Sequence, residues 1–493
     1  MESFINTGRC LHTRDPMIYG QFLEHFHRQV YGGVFQPGSF LADEDGFRTD
    51  VMEALKRIRV PVIRWPGGCF VSSYHWRKGV GQRVPSFDKA WRVEDPNTFG
   101  TDEFVLFCRK LGCEPYICTN AGTGTAEEMS DWMEYCNLKD EGEFARLRAV
   151  NGHPEPYHVK YWSIGNENYG SWEIGAKDEA EWSRLVLESA KMLRRVDPAA
   201  ELSAAALTDI DWNVALLKKA APHLKWISIH AYWDPLANAD TPAGYEKCMG
   251  YTADLDAPVR MVRGLLSAMG YEKKIRIAFD EWNLRGWHHP NIHTVYQGRT
   301  PDEYLAPRDR NDINATYTMA DAVFTALVLN MFLRNADIVG MGNYSPMVNT
   351  RGLIYTYDGG LVCRSTYYVF ELYTQYMYDT VVDCYTPQTE TMCVNGITVN
   401  TLDVAATRDS VTGALAVSAV NKHPSQPEFL TLHLERKGDI IMREVNGPCA
   451  DSFNDIDNEP VQIRLADTYE WLDDSTLRVT LAPHSVNVIS IRQ

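Results

Sequence analysis

Two glutamates far apart in the chain stand in the same kind of setting. Glu167 follows a β-prone run of alternating bulk, His158 to Ile164, in the stretch YWSIGNENYGSW. Glu281 closes the apolar run of KIRIAFDEWN. Both fall at the C-terminal end of a predicted strand, among tryptophans and tyrosines. Cleavage of an acetal needs one carboxyl to protonate the leaving oxygen and a second to attack the anomeric carbon or to activate water. If configuration is retained, the two carboxyls belong about 5–5.5 Å apart. The acid of the pair is expected to have a raised pKa, through its neighbour's charge and its aromatic surroundings.

Other residue types fit the same chemistry. Asn166, beside Glu167, is placed to bind the sugar hydroxyl next to the reacting carbon. His230 and Tyr232, two apart on one predicted strand, share a face and are suited to orient a carboxylate. Arg64, ahead of Trp65-Pro66-Gly67-Gly68, is a cation suited to holding Glu281 ionised. Asp280 competes with Glu281 for its role. The Gly67-Gly68 pair permits close backbone approach, and Gly122-Thr123-Gly124-Thr125 reads as a turn, lacking the lysine of a phosphate loop. His288, His289 and His293 invite a metal reading, but no acid or cysteine spacing supports it and Pro290 splits the group. Trp172 and Trp287 read as aromatic walls, and the aperiodic stretch 285–310 as a loop shaping the pocket.

The elements that must position these residues alternate between apolar runs and helical stretches. Eight strands are predicted, at 17–24, 60–65, 114–120, 158–165, 201–207, 225–232, 274–281 and 336–344. Helices are predicted between them at 50–59, 101–111, 127–136, 179–196, 212–221, 258–269 and 311–334. Thr101, Asp50 and Ser130 serve as expected N-caps. Eight β/α units make a (β/α)8 barrel the economical α/β fold, with polar residues gathered at strand C-termini: Glu24, Arg64, Asn120, Asn166, Glu167, His230, Tyr232, Glu281 and Asn343. After about residue 375 short alternating runs and turns take over, the pattern of an antiparallel β-sandwich. The expected division is a catalytic barrel over 16–375 and an accessory sandwich from 376–493, with residues 1–15 lending it a strand.

Composition narrows the partners. The 493 residues carry a net charge of −17, which disfavours nucleic acid and anionic membranes and suits a neutral carbohydrate. The 11 cysteines are odd in number and form no CxxC pair, as expected of free thiols in a reducing compartment. The N-terminus has no apolar signal core, and the most apolar helix candidate, Met319 to Leu333, is too short to span a bilayer. A cytoplasmic protein is expected.

The segments IYGQFLEH, RWPGGCFVSSYHWRKGVG, FGTDEFVLFCRKLGCEPYICTNAGTGTAEE, YWSIGNEN, SIHAY, FDEWN and VFELY together resemble the family 51 glycoside hydrolases, the α-L-arabinofuranosidases. That resemblance implies a (β/α)8 barrel with a C-terminal β-sandwich. It implies Glu167 as general acid/base and Glu281 as nucleophile of a retaining double displacement. Glu24, Arg64, Asn166 and Tyr232 would line the furanose pocket, with Cys69 and His230 among the substrate-binding residues. No metal or organic cofactor is implied, and a homo-oligomer, often a hexamer, trims short arabino-oligosaccharides. Three positions depart from the family's usual pattern: Cys69 stands where Asn is common, Pro346 where many members carry Gln, and His27 where a small residue is usual. They point to β-D-galactofuranose as the second sugar to test, since it shares the ring stereochemistry. An endo-β-glycanase is a further enzymatic alternative. A non-catalytic sugar-binding protein is the remaining one, and would be expected to lack one of the two carboxylates.

Overall fold

The structure is a computed structural model that describes residues 1–235, 241–286 and 310–492. Eight parallel strands form its centre: β1 (Gly20–Phe22), β2 (Val62–Trp65), β3 (Glu114–Thr119), β4 (Tyr161–Ile164), β5 (Glu201–Ala204), β6 (Trp226–Asp234), β7 (Arg276–Arg285) and β8 (Val339–Tyr344). Their order in the sheet is β5-β4-β3-β2-β1-β8-β7-β6. A parallel bridge from Ala205 to Ser228 brings the two ends together into a barrel. Each strand is buried on both faces, one by neighbours inside the barrel and one by the helices outside, which is why these segments read as continuous apolar runs. Inside, Val62, Tyr116, Tyr161, Trp226, Ala278 and Met341 pack into one layer.

Helices Thr49–Arg57, Thr101–Leu111, Ala126–Asn137, Glu179–Val196, Ile210–Ala220, Ala257–Ala268 and Met319–Arg334 return the chain from strand to strand. Their starts correct the expected caps. Gly100 rather than Thr101 precedes the second helix, where Glu103 accepts from the Gly100 N–H at 2.8 Å. Thr125, not Ser130, caps the third by accepting from the Glu128 N–H at 3.1 Å. Arg48 occupies the cap position of the first, with Asp50 inside its opening turn. The strand expected at 17–24 shrinks to three residues because Pro16–Tyr19 forms a 3-10 turn, capped by Asp15. The helix expected from 311 begins at Met319, after Thr318 has accepted from the Ala320 N–H at 3.2 Å.

A ten-stranded sheet makes the second unit. Aliphatic side chains from distant positions in it, among them Leu402, Val417, Leu430, Leu477 and Ile489, share one apolar core, so the sheet doubles over on itself as a sandwich. The N-terminal strand Glu2–Thr13 joins this sheet, antiparallel to Thr380–Tyr385 and parallel to Glu428–His433. That parallel pair departs from the antiparallel pattern expected. Helix Ser365–Tyr376 was not anticipated. With Met319–Arg334 it is wedged between barrel and sandwich and buried almost all round. Burial on every side erases the one-sided apolar stripe by which a helix is recognised. All eleven cysteines are free thiols. No helix among the described residues is long and apolar enough to cross a membrane.

Candidate active site

The C-terminal rim of the barrel gathers its charge in one buried cluster. Glu167 stands just past β4 with φ of +37°, a region that residues with a Cβ rarely adopt and that marks local strain held by its surroundings. Its carboxylate accepts from Trp172 Nε1 at 3.0 Å and contacts His230 Nδ1 at 2.9 Å. Glu281 lies opposite on β7. It accepts from Arg64 Nη1 at 3.0 Å and from the Tyr232 hydroxyl at 2.6 Å. One ligating atom each of Glu167, His230 and Glu281 lies within 4.8 Å of the others.

Asp280 and Glu281 both face the same cations although they are consecutive on a strand. The register of β7 against β6 explains this: Ala278 pairs with Ser228 but Glu281 with His230, so β7 carries an extra residue there. Such a bulge at a barrel rim re-aims side chains. Asp280 is fully buried and accepts from the Tyr116 hydroxyl at 2.7 Å and Ser228 Oγ at 2.6 Å. With both oxygens engaged below the rim, it backs His230 and Arg64 and leaves Glu281 to face Glu167.

Arg64 ties the cluster together. Its guanidinium reaches Glu281, Asp280 at 3.5 Å and Asn166 Oδ1 at 2.8 Å. Donation to Oδ1 fixes the Asn166 amide and turns its Nδ2 toward Glu173, 3.5 Å away. Glu24, buried, accepts from the Phe70 N–H and from Trp91 Nε1, both at 3.1 Å. Gly67 is required here: at φ of +151° a Cβ would lie 2.4 Å from Glu24 Cγ. Cys69, partly buried, faces Glu173, Glu24 and Glu167.

Electrostatics divides these groups into two sets. Burial alone would strip His230 of its charge, but Glu281, Asp280 and Glu167 around it raise its pKa to about 10. Burial likewise pushes the Glu167 carboxyl upward, and its contact with the His230 imidazolium reverses that and leaves it lowered. Asp280 is also lowered, its burial outweighed by Arg64 and His230. Among the described residues neither Glu24 nor Glu173 forms an ion pair. Burial first, and then the negative charge of Glu281 beside Glu24 and of Glu167 and Glu281 beside Glu173, raises each to about 8. Burial and the same carboxylates hold the Cys69 thiol protonated. The pKa of Glu167 therefore departs from the raised value expected from sequence. The reason is His230, whose imidazolium shares its proton with Glu167 across their 2.9 Å contact.

Two trios could supply ligands to a metal ion, Cys69/Glu167/Glu173 and Glu167/His230/Glu281. A metal at either trio would have to displace a proton, from the Cys69 thiol in the first and from the His230 imidazolium in the second.

The structure thus brings Glu24, Arg64, Cys69, Asn166, Glu167, His230, Tyr232 and Glu281 to one pocket. Asn120 and Asn343 stay outside it. Asn120 Oδ1 accepts from the N–H groups of Gly122, Thr123 and Gly124, so it builds that turn. Asn343 donates to the Gln21 carbonyl at 2.8 Å and fastens β8 to β1. His27 is bound to Asp312 at 2.7 Å. Trp287, His288, His289 and His293 lie outside the described residues. Sequence reasoning missed Glu173 and Arg351. Arg351 is buried, with its guanidinium stacked 4.9 Å from the Tyr232 ring centre.

Family models match most of the chain: an α-L-arabinofuranosidase 1 domain over residues 54–249 and an α-L-arabinofuranosidase C-terminal domain over 280–485. α-L-Arabinofuranosidase C of Emericella nidulans is 34% identical over 85% of this chain and 84% of its own. This chain belongs to glycoside hydrolase family 51, the α-L-arabinofuranosidases. A further relative of the family 51 chain is the intracellular exo-α-(1→5)-L-arabinofuranosidase of Acetivibrio thermocellus, 34% identical over 71% of each chain. The solved family 51 α-L-arabinofuranosidase of Thermotoga petrophila superposes with a TM-score of 0.84 at 32% identity, covering 99% of both chains.

Proposed function

We propose that this family 51 hydrolase is a retaining, exo-acting α-L-arabinofuranosidase that removes terminal arabinofuranosyl groups from short arabino-oligosaccharides. The observation that carries the mechanism is the approach of Glu167 and Glu281 to within 4.8 Å across the pocket. That spacing suits direct attack on the anomeric carbon and leaves no room for the water an inverting enzyme places between carboxyls about 6.5–9.5 Å apart. The Acetivibrio relative's exo action supports the mode, and its intracellular place supports a cytoplasmic one for this chain.

Glu281 is the nucleophile. Arg64 and Tyr232 donate hydrogen bonds that direct its oxygens. Glu167 delivers the proton to the departing oxygen, drawing on the proton that it shares with His230. Once that proton has gone, the pair accepts one from the incoming water, and the glycosyl–Glu281 ester is released. Asn166 holds the hydroxyl beside the reacting carbon, where a contact can strengthen in the transition state. Glu24 and Cys69, both protonated, offer hydrogen-bond donors to the rest of the furanose. The catalytic unit in this reading is the barrel of 16–375, with 1–15 and 376–493 as accessory sheet, and the enzyme works as a homo-oligomer.

Aryl α-L-arabinofuranoside and aryl β-D-galactofuranoside assayed side by side test the glycone. A higher kcat/KM on the arabinofuranoside is expected. Preference for the galactofuranoside would replace the sugar and leave the carboxylate mechanism standing.

A further inference from the structure

Glu173 is an acid that the double displacement does not use. It is only 4% exposed, and one of its carboxyl oxygens lies within 4.8 Å of both Glu167 and the Cys69 sulfur. Its Oε2 faces Asn166 Nδ2, and the carboxyl is buried against Ser72 and Cys69. The tight loop 165–175 that carries it is pinned at both ends. Gly165, at φ of +71°, would place a Cβ 2.3 Å from Asn168 Oδ1, and Gly175, at +72°, would place one 2.5 Å from the Gly122 carbonyl. The chain therefore presents a third carboxyl beside the acid in a fixed position.

From this geometry we infer that Glu173 is a positioning residue with two effects on the acid step: it anchors Asn166, and its charge state sets how far into alkali Glu167 and His230 keep their shared proton. The inference rests on the reading of Glu167 as general acid/base. The groups facing Glu173 are Cys69 and Ser72 from the loop after β2, Asn166 and Glu167 after β4, and Glu281 from β7. Arg64 reaches it only through Asn166. With no ion pair among the described residues, Glu173 remains a neutral acid until about pH 8. Below that pH it adds no charge beside Glu167. Above it, a new anion close to Glu167 opposes loss of the shared proton. The alkaline limb of the rate profile then moves to higher pH than Glu167 and His230 alone would set. Asn166 is retained in both states, because its amide donates to the carboxyl and more strongly to the carboxylate.

The test compares pH profiles of kcat/KM for wild type and Glu173→Gln, each normalised to its own plateau. The substrate is an arabinofuranoside with a poor leaving group, for which protonation limits the rate. Glutamine is isosteric and never ionises. Its alkaline limb is expected about one pH unit below that of wild type, a modest fraction of the interaction of two like charges about 5 Å apart in protein. On an activated aryl glycoside, where the acid matters little, the two limbs are expected to coincide. Superimposed limbs on the poor substrate would overturn the inference. Absence of wild-type turnover on both furanosides would instead overturn the furanosidase reading beneath it. Carboxyl 13C NMR of wild-type protein gives an answer even if Glu173→Gln does not fold. The resonance of Glu167 is expected to show a second inflection where Glu173 titrates, and a single inflection would count against the link.

Discussion

The two ends of the same barrel use charge in opposite ways. At the N-terminal floor, Arg276 pairs with Asp15 at 2.9 Å, Lys160 with Glu201 at 3.2 Å, and Arg263 with Asp337. These are pairs between partly exposed side chains, in which each cation has its own carboxylate. At the rim, Arg64 and His230 serve Glu167, Asp280 and Glu281 together, the last two buried and Glu167 partly so, while among the described residues Glu24 and Glu173 form no ion pair. The floor shields its charges with water, which makes each pair worth little and each loss tolerable. The rim has no such shield. Glu167 and His230 share a proton there, and removing one member changes the state of the rest.

The largest expected break in this contrast comes from the two glutamates. Glu281→Ala should lower kcat/KM roughly 10⁴-fold on every substrate, because no intermediate can form. Glu167→Ala should lower it about 10²–10⁴-fold on poor leaving groups, with far more activity kept on activated aryl glycosides. Equal, mild losses in both variants would contradict the division of roles. Tyr232→Phe comes next. It removes one hydrogen bond to Glu281 and is expected to lower kcat about 10–10²-fold while changing KM little.

Stability carries a smaller signature of the rim. In the folded chain Glu24 and Glu173 hold their protons to about pH 8, whereas the ordinary carboxylate value is 4.5. Between those values the folded state binds more protons than the unfolded one, so stability falls as pH rises through this window. Each group contributes at most about 1.4 kcal/mol per pH unit. Thermal unfolding of Glu24→Gln and Glu173→Gln across this range should show a flatter decline than wild type. The lowered Glu167 and Asp280 act the other way, adding stability that is lost only as pH falls through their folded values. At the floor, Arg276→Ala should cost no more than about 1 kcal/mol and leave kcat unchanged. A large loss of activity there would erase the contrast between the two ends.

The contrast also shows what was legible beforehand. Buried strands announce themselves as apolar runs, so all eight barrel strands could be placed, and Glu167 and Glu281 stood out at their ends. Three features could not be seen. The bulge that turns Asp280 and Glu281 to the same side depends on a register that only the neighbouring strand reveals. Glu173 sits in a loop without periodicity, and nothing local distinguishes a buried glutamate from a solvated one. The pKa of Glu167 was expected to be raised from its own surroundings, yet it is governed by His230, a residue more than sixty positions away in the chain that meets it only when the barrel closes. Helix Ser365–Tyr376 was hidden for a related reason, since two domains bury it from both sides.

The most direct measurement is the anomeric configuration of the sugar as it first leaves the enzyme. Hydrolysis of an aryl α-L-arabinofuranoside in aqueous methanol traps part of it as a methyl glycoside that cannot mutarotate, and 1H NMR reads its configuration. Methyl α-L-arabinofuranoside is the expected product, formed by two displacements at one carbon through Glu281. Formation of the methyl β-anomer would contradict direct attack by that carboxylate and, with it, the division of labour between the two glutamates.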